Sequence, residues 1–166
     1  MFKECMERFE ENSYSGAKLS IYRNVPKSAP KAIVHISHGI AEHAGRYEWF
    51  MQTLMEAGYA VYAHDIRGHG YTYASDSFKG HFSDKHGLDK ILHDLDFSIH
   101  LIKKNHPDIP IFCFGHSLGS ILLLRYATSM YHRINGIACW NSGIETNICL
   151  LYTLTLPTNT GVGGSG

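Results

Sequence analysis

The sequence lacks several features that would assign it to other classes of protein. No run of 18 or more apolar residues occurs, so we predict no membrane-spanning helix. The 15 basic and 15 acidic side chains cancel, which gives no reason to expect nucleic acid or an anionic membrane as a partner. The N-terminal segment MFKECMERFEENSYSGAK has no apolar stretch of the kind that signal peptides carry. The remaining expectation is a globular, cytoplasmic protein of 166 residues.

Cysteines are few, and their spacing predicts no shared site. The four cysteines are Cys5, Cys113, Cys139 and Cys149. They show neither metal-ligand nor disulfide-framework spacing, and Cys113 and Cys139 lie in apolar strand-like runs, so we predict reduced, buried thiols. Three histidines share one face of a predicted helix, His86, His93 and His100, but neighbours seven residues apart are about 10 Å apart along the axis. The sequence therefore predicts neither a metal ion nor an organic cofactor.

Strand and helix patterns alternate along most of the chain. An N-terminal antiparallel hairpin is predicted around AKLSIYRNV, and four buried strands in AIVHIS, YAVYAHD, IPIFCFG and INGIACWNSG. Helices are predicted in YEWFMQTLMEAG, LDKILHDLDFSIHLIKKNH and SILLLRYATSM. Strands that are apolar on both sides, separated by helices, indicate a mostly parallel sheet with helices on both faces. We therefore predict an α/β fold.

A buried strand, a sharp turn and a helix follow one another in IPIFCFGHSLGSILLLRYAT, residues 109–128. Ser117 lies in the turn, at the centre of GHSLG, which is the arrangement of a nucleophile elbow. The strained backbone of such a turn demands small residues two positions before and after the serine, and Gly115 and Gly119 meet that demand. The alternative is a glycine-rich turn with an incidental serine, since a chain with 16 glycines can match a five-residue pattern by chance.

A second loop of interest follows the predicted strand AIVHIS, in the segment HISHGIAEHAGRY. Gly39 allows a sharp turn after His38, and the N–H of Ile40 can then point inward beside that of Leu118. Two backbone amides in this position would form an oxyanion hole, in which side-chain identity matters little. Without the elbow, the same segment would be interpreted as an ordinary strand-to-helix loop.

Three motifs in this order, HGIAEHAGRY, AHDIRGHGYT and GHSLGS, resemble the monoacylglycerol lipase and lysophospholipase branch of the α/β-hydrolases, the serine aminopeptidase-like hydrolases. The resemblance runs from about residue 15 to about residue 143. It implies an α/β-hydrolase fold, Ser117 as the nucleophile, the amides of Ile40 and Leu118 as the oxyanion hole, and esters or lipids with one acyl chain as substrates. Supporting positions in the elbow and its neighbouring loop are His38, Gly39, Gly115, His116 and Gly119.

Two residues, Ser120 and Ile40, depart from the family's pattern. Ser120 stands where the family commonly has a second glycine, and a small serine is tolerable there because this position packs the helix against its strand. Ile40 is bulkier than the residue often found at its position, which would narrow the acyl pocket.

The resemblance also sets the domain boundaries. Residues 1–143 are assigned to the N-terminal part of a hydrolase domain, and residues 144–166 to the start of the cap region and a flexible Gly-rich tail.

The most consequential absence follows Ser117, where this fold places first the acid and then the histidine of its triad. No aspartate occurs there, and the only acidic residue and histidine are Glu145 and His132. His132 lies about 15 residues beyond the serine at ~1.5 Å per helical residue, too far away to reach its hydroxyl. Glu145 is expected to be solvated. We therefore expect the acid and histidine in segments that this chain does not contain, so that the chain stops before the fold is complete.

Histidines before Ser117 offer an alternative source of a base. His38 is the least implausible substitute, whereas the ring of His116, although adjacent to the serine, is expected to point away from its Oγ. Asp65, Arg67 and His69 in HDIRGHG are expected to organise the loop near the site.

The leading hypothesis is the N-terminal portion of a serine ester hydrolase that works through an acyl-enzyme on Ser117. One alternative is a truncated, catalytically inactive remnant of the fold that binds a ligand or a partner without turnover. Another is half of a split enzyme, completed by a separate C-terminal chain.

Overall fold

The computed structural model describes residues 6–130 and 133–143, which form a six-stranded sheet with helices packed against it. The strands are β1 (Glu7–Asn12), β2 (Lys18–Asn24), β3 (Ile33–Ser37), β4 (Ala60–His64), β5 (Ile111–His116) and β6 (Gly136–Trp140). The helices are α1 (Glu48–Glu56), α2 (Gly87–Asn105) and α3 (Leu118–Met130), and a short 3-10 turn, Ala44–Tyr47, precedes α1.

The strands are arranged in the order β1-β2-β4-β3-β5-β6. β1 and β2 form the predicted antiparallel hairpin, and β2 is also antiparallel to β4. The remaining pairs, β3 with β4, β3 with β5 and β5 with β6, are parallel. Because Ser37 at the end of β3 is in register with Gly115 near the end of β5, the loop after β3 and the turn after β5 lie side by side.

Helices cover both faces of the sheet because successive strand residues point to opposite sides. In β4, Tyr62 packs in one cluster with Ile99 of α2 and Leu123 of α3. Its neighbour Val61 points the other way and packs in a second cluster with Met51 of α1. The prediction of a mostly parallel sheet with helices on both faces is confirmed.

β6 differs from the buried strand that the sequence predicts. Its last three residues are exposed, and Trp140 is 66% exposed. β6 is the edge strand of the described sheet and pairs there with β5 alone, which leaves its carboxyl end open. The prediction of buried thiols is therefore right for Cys113, whose burial raises its pKa to about 12, and wrong for Cys139, which is exposed.

Several predictions concern residues outside the described ranges. Residues 144–166, assigned to the start of the cap region and a Gly-rich tail, are among them, and so are His132 and Glu145. Within residues 6–130 and 133–143, none of the helices has the length and apolar character needed to cross a membrane.

Candidate active site

Ser117 lies in the sharp turn between β5 and α3, with a φ of 51°. A left-handed backbone is uncommon for a residue with a side chain, and such strain persists only where the surroundings enforce it. The N–H of Ser117 donates to the carbonyl of Trp140 at 2.9 Å, and its own carbonyl accepts from the N–H of Ser120 at 3.0 Å. Because α3 begins at Leu118, the positive end of the helix dipole lies beside Ser117. This is the geometry of a nucleophile elbow.

The turn is pressed so closely against its neighbours that two positions admit only glycine. A Cβ at Gly119 would lie 2.0 Å from the carbonyl oxygen of Ser37 at the end of β3. A Cβ at Gly115 would lie 2.6 Å from the Cα of Ser120 in the first turn of α3. Both obstacles are main-chain atoms, which cannot rotate away. The two outer glycines of GHSLG are therefore a steric requirement of the turn.

Ser120, which departs from the family's usual glycine, is fully buried behind the turn. Its hydroxyl lies 2.7 Å from the carbonyl oxygen of Gly115 and 3.2 Å from that of Trp140, and it can donate to either. The serine thus ties α3 to the carboxyl ends of β5 and β6, a link that glycine could not make.

His38 begins the loop after β3 and is completely buried. The N–H of Ile66 donates to its Nε2 at 2.9 Å, so Nε2 carries no proton in this arrangement. The proton is therefore on Nδ1, which donates to the carbonyl of Gly39 at 2.7 Å. Burial lowers the pKa of His38 to about 4, which keeps the ring neutral near pH 7. With both nitrogens bonded to the backbone, His38 supports the loop and does not have the free nitrogen that a substitute base needs.

The backbone amides around the turn divide into those with a partner and those without one. The N–H of Gly39 donates to the side chain of Glu42, and that of Ser117 to Trp140. The N–H groups of Ile40 and Leu118 donate to no residue among 6–130 and 133–143. These two are the amides that the sequence analysis predicts for an oxyanion hole.

Glu42 is a site residue that the sequence analysis does not single out, although it lies in HGIAEHAGRY. Its Oε1 accepts from the N–H of Gly39 at 2.5 Å, the hydroxyl of Tyr47 at 2.9 Å and Nδ1 of His116 at 2.7 Å. Burial acts to raise the pKa of Glu42, but the hydrogen bonds from His116, Gly39 and Tyr47 together hold it below its usual value. The ring of His116 is thus directed to a carboxylate in the neighbouring loop.

The HDIRGHG segment has the structural role that the sequence predicts. Asp65 is fully buried and accepts from the hydroxyl of Tyr22 and from the N–H groups of Ala44 and Tyr71. A Cβ at Gly70 would lie 2.1 Å from the Asp65 carboxylate, so the loop closes tightly around it. Asp65 therefore joins the loop after β4 to the short 3-10 turn that follows the loop after β3.

Arg67, also fully buried, has its guanidinium bound on three sides. It contacts Asp94 of α2 at 3.1 Å, Asp76 at 2.7 Å and the carbonyl of Ser15 at 3.2 Å. These partners belong to α2, to the loop after β4 and to the N-terminal hairpin. Arg67 thus ties the N-terminal hairpin to the framework that carries the site.

A cleft of about 590 Å³ lies between the loop after β3 and the loop after β4. Ile40, Ala41 and Glu42 form one wall, and His69 and Lys79 belong to the other. The unpaired amide of Ile40 therefore belongs to a residue that lines an open, ligand-sized space. The described residues contain no group of three or more histidine, cysteine, aspartate or glutamate side chains that could hold a metal ion.

A mostly parallel sheet in this strand order, with a nucleophile elbow between β5 and α3, defines the class of the α/β-hydrolases. The chain matches the family described as serine aminopeptidase, S33, over residues 28–157, and it belongs to that family.

Relatives and solved structures agree with this assignment. The chain is 35% identical over 99 residues to the monoglyceride lipase of Homo sapiens, a match that covers 60% of this chain and 31% of that protein. It is 30% identical over 112 residues to the monoglyceride lipase of Rattus norvegicus, covering 68% and 35% of the two chains. The chain thus spans about a third of the length of these curated relatives.

Two solved structures show the same fold. A thermostable carboxyl esterase from Bacillus coagulans, solved in complex with glycerol, superposes with a TM-score of 0.73 at 30% identity, covering 81% of this chain and 44% of that one. A soluble variant of the monoglyceride lipase from Saccharomyces cerevisiae, in complex with a substrate analogue, superposes with a TM-score of 0.65 at 28% identity, covering 81% and 43%.

Proposed function

We propose that this chain carries the nucleophile and the oxyanion hole of a serine ester hydrolase. The observation that supports the proposal most directly is the left-handed backbone of Ser117, held between β5 and α3 by close main-chain contacts. A strained serine at the start of a helix has its hydroxyl presented above the sheet, where an ester carbonyl can approach. The substrate class is an ester or lipid with one acyl chain, in keeping with the monoglyceride lipases to which the chain is similar.

The reaction proceeds through a covalent acyl-enzyme. The Oγ of Ser117 forms a bond to the ester carbonyl carbon, and its proton passes through a base to the departing alkoxide as the ester C–O bond breaks. Water then attacks the acyl-enzyme, releases the carboxylic acid and returns the proton to Ser117. The N–H groups of Ile40 and Leu118 stabilise the oxyanion at both tetrahedral stages, and losing one such donor costs about 10²–10³ in rate.

The base and its orienting acid come from outside the described residues. Both nitrogens of His38 are engaged by the backbone, and Nδ1 of His116 is engaged by Glu42. We propose that a complementing C-terminal segment, beyond the third of the relatives' length that this chain spans, supplies the acid and the histidine. It would contact the open edge at β6, because that edge adjoins the elbow through Trp140. Activity of this chain alone is then expected to be several orders of magnitude below that of a complete triad.

A fluorophosphonate probe and p-nitrophenyl butyrate test the proposal on the purified chain. Stoichiometric labelling on Ser117, absent from Ser117→Ala, is expected if the nucleophile is competent. A matched control is Ser129→Ala, which removes an exposed serine hydroxyl near the other end of α3 and should leave labelling in place. A folded sample that takes up no probe would contradict autonomous activity and favour the inactive remnant. Recovery of labelling when a C-terminal segment is added would support the split-enzyme arrangement.

A further inference from the structure

Two side chains hold the two peptide units on either side of Gly39. The N–H of Gly39, in the unit shared with His38, donates to Oε1 of Glu42 at 2.5 Å. The carbonyl of Gly39, in the unit shared with Ile40, accepts from Nδ1 of His38 at 2.7 Å. A glycine has the widest backbone freedom of any residue, so these two bonds remove a rotation that would otherwise be open. We refer to His38, Gly39 and Glu42 together as the Gly39 clamp.

The clamp determines where the amide of Ile40 points. The peptide between Gly39 and Ile40 is trans, since the described residues contain no cis peptide. In a trans peptide the C=O and the N–H point in opposite directions. By holding the Gly39 carbonyl on one side, the His38 ring therefore directs the Ile40 N–H to the other side. Glu42 holds the preceding peptide unit, which prevents the loop from rotating about Gly39.

The same carboxylate oxygen links the clamp to the nucleophile turn. Oε1 of Glu42 also accepts from Nδ1 of His116 at 2.7 Å, and His116 directly precedes Ser117. A carboxylate can only accept, so Nδ1 of His116 carries a proton, and hydrogen bonds to an ionised acceptor are roughly twice as strong as neutral ones. The space is also closed, because a Cβ at Gly39 would lie 2.6 Å from Oε1 of Glu42 and 2.9 Å from Nδ1 of His116.

We propose that Glu42 is a positioning residue of the oxyanion hole, which together with His38 directs the N–H of Ile40 and ties its loop to the turn that carries Ser117. The inference rests on the proposed function, because an oxyanion hole acts only if Ser117 attacks an ester. Glu42 touches no reacting atom in this role. Its loss should therefore lower the rate of covalent reaction far more than it weakens the binding of the acyl chain.

Amide hydrogen exchange on the full ¹⁵N-labelled chain tests the clamp without requiring catalysis. In the unmutated protein, Gly39 should exchange at least tenfold more slowly than Ala41, a loop residue whose N–H donates to no described residue. Glu42→Ala should raise the exchange rate of Gly39 at least tenfold and leave the amides of β3 and β5 within twofold of their original rates. Equal exchange of Gly39 and Ala41 in the unmutated chain would overturn the proposal.

Two further variants guard against a misfolded Glu42→Ala. Glu42→Gln keeps one acceptor oxygen and should raise the amide exchange rate of Gly39 by about threefold. If a folded Glu42→Gln sample exchanges Gly39 at the same rate as the unmutated chain, the proposal is also overturned. The matched control is Glu48→Gln, an exposed glutamate at the start of α1, which should change neither Gly39 nor Ala41.

The rate of fluorophosphonate labelling at Ser117 separates positioning from a merely structural role. Glu42→Ala should lower the maximal labelling rate about tenfold or more while the half-saturating probe concentration stays within twofold. His116→Asn, whose side-chain amide can replace the Nδ1 donor, should retain more of the rate than His116→Ala. Absence of labelling in the unmutated chain, even after a complementing C-terminal segment is added, contradicts the proposed function and leaves the exchange rates to decide the clamp. Labelling that Glu42→Ala does not alter contradicts the clamp alone.

Discussion

β5 and β6 are neighbouring parallel strands of one sheet, yet their carboxyl ends are built in different ways. β5 runs into the turn of Ser117, where main-chain atoms of β3 and α3 approach within distances that admit only glycine. β6 ends in Cys139 and Trp140, both exposed. At the enclosed end, sterics dictate the residue type at each position. At the open end, the described fold leaves space around the side chains. Substitutions should therefore destabilise the protein much more at the end of β5 than at the end of β6.

The largest difference is expected from adding a methyl group to a glycine in each region. Gly119→Ala would place its Cβ 2.0 Å from the Ser37 carbonyl, whereas Gly136→Ala in β6 would meet only the Phe112 side chain, at 3.1 Å. We expect Gly119→Ala to lower the free energy of unfolding by about 4 kcal/mol or more, because its methyl group would overlap a main-chain atom that cannot move away. Gly136→Ala should stay within about 1 kcal/mol, because Phe112 is partly exposed and can rotate. Urea unfolding followed by circular dichroism measures both, and similar losses would remove the distinction.

Acid should have the next largest effect, on β3, β4 and the loop after β3, which hold three of the four buried histidines among the described residues. Burial lowers the pKa of His35 to about 3, that of His38 to about 4, and that of His64 well below its usual value. His35 and His64 also pack together, with Nε2 of one 3.2 Å from Nδ1 of the other. Lowered histidine pKa values mean that the unfolded chain binds more protons than the folded one below pH 6.5, so stability is complete above that pH and is lost as the pH falls.

Three such groups should together reduce the free energy of unfolding by about 2 kcal/mol between pH 7 and pH 6. Urea titrations at a series of pH values measure the slope. The exposed His86 provides a control, since His86→Asn should keep the full pH dependence. An unfolding free energy that stays constant between pH 7 and pH 6 would show that these rings are not buried in their neutral form.

The smallest effect is expected from exchanging sulfur for oxygen in each strand. Cys113→Ser buries a hydroxyl in the hydrophobic core and should lower the free energy of unfolding by about 1–2 kcal/mol. Cys139→Ser, at the edge of the described sheet, should change it by no more than about 0.5 kcal/mol. In the unmutated chain, iodoacetamide followed by peptide mass spectrometry should modify Cys139 in the folded state and Cys113 only after unfolding. Comparable modification of both thiols would contradict the difference in burial.

Local steric patterns explain which parts of the fold and site could be predicted from the sequence. Gly115, Ser117 and Gly119 lie within five residues, and their spacing, together with a predicted strand before them and a predicted helix after them, predicts the strained turn. The alternation of apolar strands and helices likewise predicts the two-sided sheet. Exposure of β6 could not be predicted, because INGIACWNSG has the composition of a buried strand. Its exposure follows from its place at the edge of the described sheet. Glu42 was missed because its contact with His116 spans 74 residues of sequence.

Trp140 lies at the open edge, beside the turn that carries Ser117. The carbonyl of Trp140 accepts from the N–H of Ser117, while its indole is largely in water. The molecule therefore carries an intrinsic fluorophore one hydrogen bond away from its candidate nucleophile. The sequence has only one other tryptophan, Trp49, which lies on α1. With Trp49 replaced by phenylalanine, the emission of a single indole would report, in real time and without a label, whatever chain or lipid comes to cover the edge beside Ser117.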